Sequence, residues 1–169
     1  MQDINKALEA LRSGDKKRAF SIARKINKNK KKQSLESLKL EGLDELEKNN
    51  IKRARFLLDS AMSKATLQGG SNEAIAELHS YLAQSFIKTG EDQSAINHLE
   101  KAKAILPQAR SISTRYNLAN LKVKSFKFNE AIDELNKLLP YKEFTVKATK
   151  SLIRIAIQLS DKDMIAKYV

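Results

Sequence analysis

Alanine recurs in this chain at Ala19, Ala54, Ala95, Ala131 and Ala166, at intervals of 35, 41, 36 and 35 residues. Twelve residues before each stand Ala7, Gly42, Ala83, Ala119 and Arg154, and four of these five are Ala or Gly. Four residues after the first four come Ala23, Leu58, Leu99 and Leu135, and seven after come Ile26, Ala61, Ala102 and Leu138. Such a period has a physical cause. Two antiparallel helices joined by a short turn approach closely where both carry small residues, and larger apolar side chains fill the space between successive pairs. One pair alone buries too little surface, so neighbours must stack into a shared core.

The best-formed unit covers residues 82–107, LAQSFIKTGEDQSAINHLEKAKAILP. Two patterns of helical period meet there at Thr89-Gly90-Glu91, and Pro107 closes the segment. The same reading applied elsewhere predicts helices over 3–12, 16–27, 34–48, 51–67, 73–88, 92–106, 109–124, 129–139 and 144–159, and the start of a tenth over 161–168. Paired, they make one solenoid over 1–169 with units at about 3–32, 34–68, 73–107, 109–140 and a partial unit at 143–169. The long interval places an insertion near Gly69-Gly70, and Arg154 stands in the fifth unit where a small residue belongs. That unit stops soon after its second helix begins, so its last helix is expected to be either an irregular cap or, the preferred expectation, part of a chain cut from something longer. Composition agrees with an all-α class: 5 glycines, 2 prolines and no tryptophan leave few turn residues for a sandwich.

These residues resemble the tetratricopeptide repeat. Leu82-Ala83, Phe86, Gly90, Ala95, Leu99, Ala102 and Pro107 match its signature positions, and YNLANL with FNEAIDEL in the next unit matches nearly as well. A related helical-hairpin repeat satisfies the same spacings. The resemblance implies a right-handed α-α superhelix whose first helices line a concave face that holds a partner segment. Carried over by position, the groove residues are Lys39, Leu43, Tyr81, Gln84, Lys88, Tyr116, Asn117, Asn120 and Lys124. Amides there suit the backbone of an extended peptide and lysines its carboxylates. The two-carboxylate clamp of one subfamily would need lysine and asparagine at Ile4 and Leu8, and the next register offers Lys39 but Leu43. The clamp is incomplete, so a co-chaperone role is not expected.

No stretch carries catalytic chemistry. HExxH, GxSxG, GxxxxGK[ST] and GxGxxG are all missing from the sequence. His79 and His98 fall at packing positions, adjacent acids such as Asp44/Glu45 and Glu91/Asp92 point apart on a helix or sit at a turn, and no cysteine is present. Neither an enzyme nor a cofactor or metal site is expected.

Charge is uneven. Residues 1–32 carry 11 Lys/Arg against 3 Asp/Glu, residues 33–107 carry 9 against 11, and residues 108–169 carry 12 against 6. Lys25, Lys28, Lys30, Lys31 and Lys32 form a cluster suited to phosphate or an acidic partner. It lacks the interleaved aromatics of a single-strand nucleic-acid platform, which counts against that partner. No secretory leader and no membrane span is read, so a cytoplasmic location is expected. The expected function is therefore a non-enzymatic module that binds a protein or peptide, with self-association open to it. Two other readings fit. One is the N-terminal repeat region of a larger glycosyl- or sulfotransferase. The other is a basic adaptor for nucleic acid or an anionic surface.

Overall fold

A computed structural model describes residues 2–107 and 110–169, with the backbone alone at Gln2. Among the described residues the ten α-helices are α1 Gln2–Arg12, α2 Lys16–Asn27, α3 Leu35–Glu47, α4 Ile51–Leu67, α5 Asn72–Lys88, α6 Asp92–Ile105, α7 Ile112–Lys124, α8 Phe128–Asn136, α9 Lys142–Leu159 and α10 Lys162–Tyr168. No strand occurs among the described residues. The expected start of the seventh helix, Ala109, lies outside the described residues. The described residues form two units, the first ending at Glu91 and the second beginning at Asp92.

The turns explain the period. Gly14, Asn49, Gly90, Phe126 and Ser160 all take left-handed φ values between 56° and 84°. Each stands at the end of a helix, and the next residue donates its amide back five positions. Asp15 donates to Ala10 at 2.8 Å, Asn50 to Glu45 at 2.8 Å, Glu91 to Phe86 at 2.9 Å, Lys127 to Lys122 at 2.8 Å and Asp161 to Ala156 at 2.9 Å. This is the Schellman closure, which satisfies orphan carbonyls and reverses the chain. Five residues beyond the left-handed position come Ala19, Ala54, Ala95 and Ala131, all with no exposed surface.

The fifth unit differs from its expected register. Ala166 and Arg154 are exposed rather than packed. The turn at Ser160 follows Phe126 by 34 residues, so the equivalent positions are Ile165 and Ile153, both half-buried. A branched residue thus replaces the small one at each site. The left-handed residue marks the phase of every hairpin more reliably than the alanine, because backbone geometry, not side-chain size, defines the turn.

A non-glycine residue in this conformation costs about 1–2 kcal/mol. Ser160 is exposed and caps α9 through its backbone alone. Ser160→Gly should therefore raise stability by about 1 kcal/mol, visible as a higher Tm in thermal denaturation. Gly90→Ala should lower it by a similar amount, because the added Cβ meets nothing within 4 Å and only the backbone objects.

Each unit has its own core. In the first, Ala7, Phe20, Ala23 and Leu40 form one cluster and Leu38, Leu57, Leu58, Ala61, Leu78 and Leu82 another. In the second, Ala119, Ala131, Leu135, Leu138, Ala148, Leu152 and Ile155 are fully buried. α8 stops at Asn136, three residues before its expected end, as tighter bonds from Leu138 to Leu135 and from Leu139 to Asn136 replace the helical ladder ahead of Pro140.

Charged networks brace both cores. In the first unit the buried carboxylates of Glu41, Asp44 and Glu45 on α3 meet Arg53, Arg24 and Lys48. In the second, Glu134 of α8 accepts from Lys103 of α6 at 2.7 Å and from Arg115 of α7 at 2.8 Å. Lys122 of α7 reaches Glu100 at 2.6 Å and Glu130 at 3.1 Å. Burial alone would raise the Glu134 carboxyl, but Lys103 and Arg115 outweigh it and hold it below the usual carboxylate range.

Candidate partner-binding surfaces

The expected groove residues divide between the two units and meet different fates. In the first unit, Lys39 of α3 is only 17% exposed and binds Glu77 of α5 at 2.6 Å. Tyr81, one turn further along α5, donates its hydroxyl to the same carboxylate at 2.7 Å. Burial, reinforced by that bond to Glu77, pushes the Tyr81 phenol far above its ordinary value, so it stays a neutral donor. Leu43 packs against the cluster of Ala7, Phe20, Ala23 and Leu40. Gln84 and Lys88 are exposed on α5. Glu77 therefore engages two of the expected groove residues, Lys39 and Tyr81. The sequence does carry a signal for the Tyr81 contact, since Glu77 lies four positions earlier on one helix, but the Lys39 contact spans 38 residues.

The second unit leaves the corresponding surface open. α7 and α9 flank a cleft of about 360 Å³ lined by Tyr116, Asn120, Val123, Lys124, Ser151 and Arg154. Tyr116 is half-buried, and its ring meets Phe144 of α9 edge-on at 5.5 Å. This fixes the aromatic wall at low entropic cost to a ligand. Asn117 and Asn120 are exposed on α7. Lys124 is held by Asp92, whose carboxylate lies 2.8 Å from its ammonium. Arg154, the residue that breaks the small-residue pattern, lines the cleft and has no carboxylate partner among the described residues. Sequence reasoning treated it only as a fault in the repeat.

The two units also differ in charge. α3 contains Glu36, Glu41, Asp44, Glu45 and Glu47, and α5 contains Glu73 and Glu77. α7 has no acidic residue, and α9 has Glu143 against Lys142, Lys147, Lys150 and Arg154. The cleft itself presents two cations, Lys124 and Arg154, with the Tyr116 ring and the Asn120 amide, and no acidic residue lines it.

The lysine cluster belongs to the first unit. Lys25 is on α2, and Lys30–Lys32 form a 3₁₀ turn whose Asn29 side chain accepts from the Lys31 amide at 3.0 Å. All five lysines are exposed. His79 and His98 are half-buried and engaged within the fold. Among the described residues no group of His, Cys, Asp or Glu could hold a metal ion, and no helix is long and apolar enough to cross a membrane.

No protein-family model matches the sequence, and no curated protein sequence is significantly similar to it. Solved structures are similar. A crystal structure of MamA is 20% identical, with a TM-score of 0.75 over 96% of this chain and 89% of that one. MamA of AMB-1 is 15% identical, with a TM-score of 0.78 over 99% and 86%. A kinesin light chain-like protein of Podospora anserina with nearly identical TPR-like repeats is 15% identical, with a TM-score of 0.73 over 99% and 90%. The fold is that of tetratricopeptide-like repeats. At identities this low the likeness extends to the fold alone, and the left-handed turns within the five helix pairs show how this tetratricopeptide-like chain builds it with glycine at only two of them, Gly14 and Gly90.

Proposed function

We propose that this protein is a non-enzymatic interaction module that holds an extended, acidic segment of a partner protein in the cleft between α7 and α9. The observation that carries this reading is Arg154: an exposed, unpaired guanidinium in a cleft that also presents Tyr116 and Asn120. Guanidinium and carboxylate match in a bidentate pair, amides bond an extended backbone, and the tyrosine face covers an apolar side chain. In the first unit Gln84 and Lys88 are available for contact, whereas Lys39 and Tyr81 are held by Glu77.

The test is fluorescence anisotropy with labelled acidic peptides and with the same peptides in amide form, Glu and Asp replaced by Gln and Asn. The acidic peptides should bind and the neutral ones should not. Arg154→Glu should weaken binding by about 10- to 100-fold, the loss of one charge-assisted bond. Arg154 is exposed, so the variant should keep its Tm. An unchanged Kd in a folded Arg154→Glu variant would remove the cleft from the reading.

A further inference from the structure

We infer that the lysine-rich corner of the first unit is a docking surface for a bilayer of anionic phospholipid. Residues 16–34 contain nine Lys/Arg and no Asp/Glu. Several cations of this unit are used internally: Lys16 pairs with Glu47, Arg24 and Lys48 with Asp44, and Arg53 with Glu41. Lys25, Lys28, Lys30, Lys31 and Lys32 are exposed and have no carboxylate partner among the described residues. Five unneutralised ammoniums held within one short segment repel each other, and a dense layer of fixed negative charge would relieve that repulsion.

The shape of the corner points to headgroups. Two shallow clefts of about 360 and 320 Å³ open beside the 3₁₀ turn and share Asp3, Ile26 and Lys32. Lys6 and Lys25 stand on the rim of the second, with Ile22 and Ile26 as its apolar wall. Lysine stems lie along apolar surface while their ammoniums reach outward, which matches the change from headgroup to acyl chain at a bilayer surface. Recognition of nucleic acid would use different groups. Phe20 is buried in the core, and the one exposed ring beside the corner, Phe56, shares a cleft with Lys28 and is no series of stacking platforms, while an exposed phenyl ring suits the acyl boundary of a bilayer. Arg24 and Arg53, the arginines of that cleft, are engaged by Asp44 and Glu41. Asp3 opposes either anion, and five lysines outweigh it. This surface belongs to the first unit and shares no residue with the α7–α9 cleft, so it does not depend on the peptide reading.

Co-sedimentation with phosphatidylcholine vesicles, with and without phosphatidylglycerol, tests the assignment. The protein should sediment with the mixed vesicles at low salt, remain in solution with phosphatidylcholine alone, and be released at high salt. Each lysine near an anionic bilayer strengthens binding about fivefold. K30Q/K31Q/K32Q should therefore lower the partition coefficient on the order of 100-fold, with far-UV circular dichroism and Tm unchanged because all three side chains are exposed. Should that variant lose structure, K25Q/K28Q should lower partition on the order of 25-fold. Equal sedimentation with both vesicle types, or wild-type partition by folded lysine variants, would overturn the proposal. So would salt-sensitive binding to double-stranded DNA without any binding to vesicles.

Discussion

Glu134→Ala should destabilise the second unit by about 3 kcal/mol, the lower part of the range for breaking a buried ion pair. Glu134 is 4% exposed, and its carboxylate is the point where α6 and α7 attach electrically to α8. Removing it leaves the Arg115 guanidinium, 13% exposed at its side chain, with only the Ser111 hydroxyl at 3.1 Å as a partner among the described residues. Lys103 fares better, because Glu100 also binds it, so the loss sits below that of a fully buried triad. Glu134→Gln should cost less, since an amide oxygen still accepts one bond. The pH dependence separates charge from packing. Lys103 and Arg115 hold the Glu134 carboxyl below its unfolded value, so its contribution is present above the ordinary carboxylate range. It is lost as pH falls through the depressed folded value. Urea titrations from neutral to acid pH should show the wild type losing stability in that window and Glu134→Ala losing correspondingly less. Parallel curves for the two proteins would mean that Glu134 acts by filling space.

The contrast between helix and network shows what a sequence can reveal. Ala19, Ala54, Ala95 and Ala131 were legible because helix crossing demands a small side chain at a fixed distance from a turn, and both constraints are local. The turn itself was less legible. Glycine occupies the left-handed position at Gly14 and Gly90, but asparagine, phenylalanine and serine serve at 49, 126 and 160. Phe126 tolerates it while 78% exposed, with its ring set edge-on to Phe128 at 6.0 Å. Composition alone cannot mark such a position, which is why the fifth register slipped by one residue.

The candidate site was legible in part for a similar reason. Register on a helix places Tyr116, Asn120 and Lys124 on one face, and these three line one cleft. The fate of Lys39 and Tyr81 depended on Glu77 reaching them from the same helix and from across the unit. The partners of Glu134 lie 31 and 19 residues away in sequence. No periodic pattern encodes those distances; they follow from how hairpins stack. Arg154 is the instructive case. Judged as a packing residue it violates the repeat, and judged by its place it is an exposed cation in the cleft with no carboxylate partner among the described residues.

Gly42 and Leu58 should be strongly coupled in their effects on stability. A Cβ built on Gly42 would lie 2.9 Å from Leu58 Cγ and 3.0 Å from its Cδ2, closer than carbon atoms approach without displacement. Leu58 is fully buried in the core of the first unit, so its branch point cannot swing aside. Ala favours helix over Gly by about 1 kcal/mol, whereas forcing a methyl into a packed crossing costs about 1–3 kcal/mol. The clash should win, and Gly42→Ala should lower stability by about 1–2 kcal/mol. Leu58→Ala should cost about 2–5 kcal/mol through lost burial and the cavity left behind. In the double variant the new methyl enters that cavity, the clash disappears and the helix preference of Ala is recovered. The double variant should therefore be no less stable than Leu58→Ala, with a coupling energy of about 2 kcal/mol. Denaturant unfolding of the four proteins measures the cycle directly. Additive losses would show that α3 and α4 shift apart at Gly42 without cost, and that the small residues which set the period of this chain are not what holds its helices at their distance.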